Sequence, residues 1–339
     1  MRYVYLSKKN FGQFVEYLMK KAKVVAPRKK GKQFVFDEID SPGDICLEYL
    51  PTILPPKKYF FPQKEKLGSF KAGDIKFSDT TIEIEPTIIF GAHTCDIDGI
   101  ECLDMVFHKD PSDPYYSKRE KANIIIGYEC LKPCDGVATC VSMDTHLPKA
   151  GYDIMMTEDG DKYILNINSA EGDELIGKLD ILEPLKEDVA KLRLKKIHEE
   201  KIKKFTVKLK YTYKELPEVF EKAHKSPVWK NVGERCVSCG NCTTVCPTCY
   251  CFNVLDEMEL SMEKGVRERV WDSCQLEDFA KVAGGENFRE EREERQKHRY
   301  YRKFDYPIKK YNKFFCTGCG RCTRACVAGI SLIETVNGL

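Results

Sequence analysis

Apolar and polar positions alternate in two different rhythms along the first half of the chain. The stretch "FGQFVEYLMKKAKVVAP" (residues 11–27) has the spacing of an amphipathic helix running into a strand. "PTIIFGAHTCDIDGIECLDMVF" (86–107) reads as a buried strand, a loop and a helix. "NIIIGYECLKPCDGVATCVSM" (123–143) is a second apolar strand that runs into a cysteine-bearing loop. "YDIMMTEDGDKYILNI" (152–167) predicts a hairpin with its turn at Asp159-Gly160. Strands alternating with helices predict α/β layering over residues 1–190. If the two apolar strands are parallel neighbours, the loops after them leave the same edge of the sheet, where such folds hold ligands. Those loops carry Cys95 and then Cys130, Cys134 and Cys140.

Beyond residue 190 hydrophobic periodicity explains less and cysteine explains more. The chain has 17 cysteines in 339 residues, and eleven lie between Cys236 and Cys326. Cys236, Cys239, Cys242 and Cys246 are spaced C-x2-C-x2-C-x3-C and followed by Pro247. Cys316, Cys319, Cys322 and Cys326 repeat that spacing, with Val327 in place of the proline. This is the bacterial-ferredoxin run for [4Fe–4S] clusters, in which the fourth cysteine of each run ligates the other cluster. One cluster is therefore assigned to Cys236, Cys239, Cys242 and Cys326. The other is assigned to Cys316, Cys319, Cys322 and Cys246. Gly240, Gly318 and Gly320 suit a backbone that must bend around sulfide. A zinc site needs only four ligands in all, so two full copies argue against it.

About 70 residues separate the runs, and they hold Cys249, Cys251 and Cys274, which two clusters do not require. Two readings stand for these three: ligands of a further centre, or small buried apolar residues. The N-terminal set Cys95, Cys130, Cys134 and Cys140 has the same two readings, a third [4Fe–4S] cluster or scattered core thiols. Cys46 and Cys102 are read as structural. The charged segment 286–303 is expected to be a solvated helix. The basic and aromatic stretch "HRYYRKFDYPIKKYNKFF" (298–315) is read as a surface that shields a cluster or docks a subunit, in preference to a nucleic-acid groove.

Charge is nearly balanced, with 55 basic and 53 acidic groups, which gives no global argument for nucleic acid or an acidic membrane. No run of about 18 apolar residues predicts a membrane span. The N-terminal stretch has no signal-peptide pattern. Reduced, metal-binding thiols fit such a chain better than disulfides. There is no G-x-G-x-x-G and no P-loop, so no flavin, nicotinamide or ATP site is expected in this chain. The chemistry in view is one-electron transfer.

The sequence resembles the iron–sulfur β subunit of cytoplasmic sulfhydrogenases and the corresponding iron–sulfur subunit of anaerobic sulfite reductase. The resemblance runs nearly end to end. It rests on "MRYVYL", "ILPPKKYFFPQKEKL" (53–67), "IIFGAHTCDIDGIECLD" (88–104), "YYSKREKANIIIGYEC" (115–130), "CVSCGNCTTVCPTCYC" (236–251), "WDSCQ" (271–275), "VAGGENFR" (282–289) and "CTGCGRCTRAC" (316–326). It implies a non-catalytic electron-transfer subunit in the cytoplasm of an anaerobe. Its implied partners are a flavin subunit exchanging electrons with NAD(P)H and a catalytic subunit, nickel–iron hydrogenase or sirohaem sulfite reductase. Many relatives carry a C-F-C pair before the stretch matching "VSM". Here Ala138 and Cys140 take those places and Cys134 lies earlier. A stand-alone iron–sulfur oxidoreductase and a nucleic-acid-binding protein with structural clusters are the competing readings. The expected fold class is α+β: an N-terminal α/β domain (1–190), then a mainly helical, bacterial-ferredoxin-like dicluster domain (191–339) with a long insert.

Overall fold

The computed structural model describes residues 2–73, 77–79, 84–177 and 179–339. The chain forms, in order, β1 (Arg2–Ser7), α1 (Phe11–Met19), β2 (Lys23–Lys30), β3 (Gln33–Glu38), β4 (Lys64–Lys71), β5 (Ser78–Asp79), β6 (Thr87–Ala92), α2 (Thr94–Phe107), α3 (Pro114–Ala122), β7 (Asn123–Tyr128), β8 (Ile154–Asp159), β9 (Lys162–Ile167), α4 (Ala170–Ile176), β10 (Leu182–Leu185) and α5 (Glu187–Lys204). It continues with α6 (Leu216–Lys222), α7 (Val228–Arg235), α8 (Asn241–Thr244), β11 (Phe252–Met258), β12 (Lys264–Trp271), α9 (Arg292–Phe304), α10 (Tyr306–Tyr311), α11 (Arg321–Arg324) and α12 (Leu332–Asn337).

Eight strands make one mixed sheet in the order β10-β1-β9-β8-β7-β6-β2-β3. Its centre, β2-β6-β7-β8, is parallel. Every residue of β6 is buried, as a parallel strand covered on both faces must be. Phe14, Val15 and Leu18 of α1 cover one face, and Ile97, Ile100 and Leu103 of α2 cover the other. The predicted hairpin is β8–β9, with Asp159 already paired to Lys162, so its turn lies at Gly160-Asp161. The two apolar strands β6 and β7 are parallel neighbours, and their following loops share an edge.

The halves are more interlocked than the expected boundary implies. Residue 190 lies inside α5, whose Ala190, Leu194 and Ile197 pack on Tyr3 and Ile164 of the sheet. The insert between the cysteine runs is not purely helical. Its hairpin β11–β12 continues a second sheet, in the order β11-β12-β4-β5, with strands from the N-terminal half. Arg269 of β12 is buried there between Glu65 (2.5 Å) and Asp113. Glu65 also pairs with Arg119 at 2.6 Å. Removing one member of such a buried set would cost about 3–5 kcal/mol.

The C-terminal core is built on Trp229, Phe220, Tyr300, Tyr301, Phe304 and Phe314. The charged segment expected to be a solvated helix is α9, and one side of it is inside the protein. Tyr300, Tyr301 and Phe304 join the apolar core, while Arg295, Gln296, Arg299 and Lys303 are buried on another face. Hydropathy misreads this helix because two of its buried cations, Arg299 and Lys303, face thiols, whose negative charge as ligands offsets their desolvation, while Arg295 is held by backbone carbonyls. Among the described residues no helix is long and apolar enough to cross a membrane.

Candidate iron–sulfur centres

Each ferredoxin run folds the same way. Gly240 and Gly320 adopt left-handed conformations (φ 76° and 72°) and open the one-turn helices α8 and α11. Two residues earlier the backbone is left-handed again, at Ser238 (φ 54°) and Gly318 (φ 64°). The residue differs because the surroundings differ. A Cβ on Gly318 would stand 2.5 Å from backbone atoms of Thr139 and Cys140. The loop after β7 lies directly on the second run there, with Thr139 N–H donating to Gly318 O at 2.7 Å and Thr145 Oγ1 to Thr317 O at 2.7 Å.

Cys246, Cys316, Cys319 and Cys322 line one small cavity together with Arg299 and Lys303. This is the crossed set that the spacing assigns to one cluster. Cys326 packs beside Cys236 with Val232 and Ile330. Cys236 Sγ accepts hydrogen bonds from Gln296 Nε2 (2.9 Å) and Ser238 N–H (3.3 Å), and Cys326 Sγ accepts one from Ile330 N–H (3.2 Å). Such donors hold a ligating sulfur in place and raise a cluster's potential. Cys239 is exposed, and Val237 and Val327 beside this set are 58% and 70% exposed.

The residues present fit iron–sulfur clusters. Burial pushes the Cys242 thiol up to about 12, so it becomes a thiolate readily only when a metal supplies the opposing charge. Arg299 is buried, and its Nε has no hydrogen-bond partner among the described residues. A buried, unpartnered guanidinium edge against four thiols suits the net negative charge of a thiolate-ligated cluster. A tetrahedral zinc with Zn–S of about 2.3 Å would draw its sulfurs to within about 3.8 Å of one another. The described residues hold just one set of three ligand atoms within 4.8 Å of each other, and it is Asp104, His108 and Glu120 rather than any thiols.

The N-terminal thiols come from the two loops the parallel strands deliver. Cys130 and Cys134 line a cavity of about 300 Å³ with His93, Tyr49 and Glu158. Cys95 and Cys140 do not line it but are buried nearby. Cys140 is pushed up to about 12 by burial and then by the charge of Cys130. Cys95 is raised by burial, then by Asp96, Cys319 and Cys134. Thr94 hydrogen-bonds Cys130, which ties the two loops together. Cys95 is thus near enough to both Cys134 and Cys319 of the second run for their charges to act on it. Arg321, one residue past Gly320, forms a bidentate pair with Asp96 (2.5 and 2.8 Å), next to Cys95, and donates to Thr52 O (2.7 Å). Cys102 is buried in α2 with Sγ 3.7 Å from Phe314 O, and Cys46 is partly exposed.

Cys249, Cys251 and Cys274 line a further cavity together, again with Arg299 and Lys303 in its wall. Lys303 Nζ donates to Cys249 Sγ (3.1 Å) and Thr248 Oγ1 (2.7 Å), and Lys57 Nζ donates to Cys249 O (2.6 Å). Sequence reasoning missed Arg299, Lys303, Arg321, Lys57 and His93. The one available signal was the i, i+4 spacing of Arg295, Arg299 and Lys303 on a helix otherwise read as solvated.

With this geometry in place, comparison with known proteins decides the family. The 4Fe-4S dicluster domain family matches residues 235–330. Sulfhydrogenase 2 subunit beta of Pyrococcus furiosus is 35% identical over 340 residues, covering 99% of this chain and 98% of that protein. The chain belongs to the sulfhydrogenase β-subunit family. No solved structure matches it. Membership agrees with the resemblance read from the motifs, and the dicluster match spans both ferredoxin runs and the insert between them.

Proposed function

We propose that the chain is the electron-relay subunit of a hydrogenase-type complex, passing single electrons through [4Fe–4S] clusters between two partner subunits. Cys236, Cys239, Cys242 and Cys326 would hold one cluster, and Cys246, Cys316, Cys319 and Cys322 the second. Cys95, Cys130, Cys134 and Cys140 would hold a third in the α/β half. The observation that carries this reading is the Arg321–Asp96 pair, which ties the loop bearing Cys95 to the second ferredoxin run and leaves Cys95 near enough to Cys319 and Cys134 for their charges to act on it. It links the N-terminal thiols to the ferredoxin runs, as a relay requires.

When bound, the clusters supply reversible one-electron chemistry, and the chain does the rest. It buries the thiols and donates N–H groups to their sulfurs. It also sets a row of cations, Arg295, Arg299 and Lys303, along one helix face. The exposed edge at Val237, Cys239 and Val327 offers a place for one partner. The partners would be a flavin subunit that exchanges electrons with NAD(P)H, and a nickel–iron or sirohaem catalytic subunit, in a cytoplasmic complex. This chain would carry neither flavin nor nicotinamide.

The cavity of about 300 Å³ beside Cys130 and Cys134 favours one alternative, a stand-alone oxidoreductase binding a small substrate there. One experiment separates the two. With its clusters assembled anaerobically, the isolated chain should accept electrons from a low-potential reductant and pass them to a one-electron dye. It should be inert toward NAD(P)H until a flavin subunit is added. NAD(P)H–dye turnover by the chain alone would overturn the relay reading.

A further inference from the structure

Cys249, Cys251 and Cys274 come from two separate segments, the turn after the first ferredoxin run and the residue third after β12. Pairing of β11 with β12 brings those segments together, since Phe252 lies opposite Trp271 and Asp272 N–H donates to Cys251 O at 3.0 Å. The three thiols then line one cavity, and the nitrogen-bearing side chain on the same wall that lacks a fixed charge is His298 of α9. Three thiols and an imidazole around one space form a complete ligand set for a metal centre.

From this we infer a further iron–sulfur centre, held by Cys249, Cys251, Cys274 and His298, beside the cluster of Cys246. Two observations favour a cubane over a single ion. The cavity, of about 30 Å³, is similar in size to the one of about 20 Å³ lined by Cys246, Cys316, Cys319 and Cys322, the set whose spacing is that of a cubane. Moreover, although the Cys251 and Cys274 thiols are hydrogen-bonded to each other, no three of these ligand atoms fall within 4.8 Å of one another, the closeness a lone tetrahedral zinc demands.

The two cavities share Arg299 and Lys303 as a common wall. Thr248, between Cys246 and Cys249, is fully buried and donates to Phe315 O at 2.6 Å, which fixes the connection. An electron crossing that wall leaves the Cys246 cluster oxidised by one and this one reduced by one, and no proton or ligand moves. Arg302 lines this cavity as well, so three cations face it. Arg321 acts on Cys319 of the neighbouring set, so the cations are matched, and the difference lies in the neutral imidazole that replaces one thiolate here; it makes this centre less negative, so it has the higher potential and serves as the electron sink. The inference does not depend on the N-terminal cluster, because the two involve separate thiols.

The test uses the full-length chain loaded anaerobically with iron and sulfide. Cys251→Ser with Cys274→Ser should lose about 4 iron per chain and keep the signals of the ferredoxin clusters. Iron unchanged in a folded double variant overturns the centre. A second readout needs no thiol variant. In chain carrying 15N-histidine, electron–nuclear double resonance of the reduced protein should show a nitrogen strongly coupled to a cluster, lost in His298→Ala. Absence of that coupling in the unsubstituted chain overturns the histidine ligand. Loss of iron from Cys130→Ser with Cys140→Ser, by contrast, reports only on the N-terminal site.

Discussion

The two ferredoxin runs have the same cysteine spacing and the same turn geometry, yet the residues packed around them differ. The first exposes Cys239, carries Ser238 at its left-handed position and follows its glycine with Asn241. The second half-buries Cys319 at the matching position, needs Gly318 where the β7 loop crosses it, and follows its glycine with Arg321, clamped on Asp96. Spacing determines how thiols meet a cluster, and the residues between them determine what else the cluster touches. The first run is suited to exchange electrons with a partner, the second to pass them inward.

Substitutions at matching positions should separate the runs. The largest difference is expected at Arg321 and Asn241. Arg321→Leu leaves Asp96 buried without its partner and should cost about 3–5 kcal/mol in chemical denaturation. Asn241→Leu loses one partly buried hydrogen bond to Ala325 O and should cost about 1 kcal/mol. Equal costs would remove the distinction. The next contrast is at the left-handed residues. Gly318→Ala drives a Cβ into the backbone of Thr139 and Cys140 and should cost about 3 kcal/mol, with loss of iron from the second set. Ser238→Ala gives up its contact with Arg295 Nη2 (3.2 Å) and should stay within about 1 kcal/mol. The mildest effect is kinetic. Under limited air or a chelator, iron should leave in two phases, the faster belonging to the cluster of exposed Cys239. Substituting Cys239 should abolish the fast phase.

The same contrast explains what was legible in the sequence. Local spacing made the ferredoxin runs visible, and alternating periodicity made β6, α2, β7 and the β8–β9 hairpin visible, because each is set by neighbours in the chain. Delivery of the loops that carry Cys95 and Cys130, Cys134 and Cys140 to one sheet edge followed from the parallel-strand rule. The β11–β12 hairpin escaped notice because all of β11 is solvent-exposed, so no alternation marks it. The other neighbour of β12 is β4, far back in the N-terminal half, so no local signal marks that pairing either. Helix α9 misled for the opposite reason. Arg299 and Lys303 are buried beside thiols supplied by distant segments, so its composition resembles that of a solvated surface. Asp96 and Arg321 each look like ordinary surface charge until folding places them 2.5 Å apart.

The relay account depends most on the N-terminal thiols, since without them the ferredoxin clusters have no continuation into the α/β half. The most direct measurement is an iron and acid-labile sulfide count on the anaerobically assembled chain, with and without Cys130→Ser and Cys140→Ser. The account predicts a loss of about 4 iron and 4 sulfide from the variant, with the ferredoxin signals retained. A variant that folds and keeps its full iron would contradict it, making those cysteines core residues and ending the relay at the cluster of Cys246.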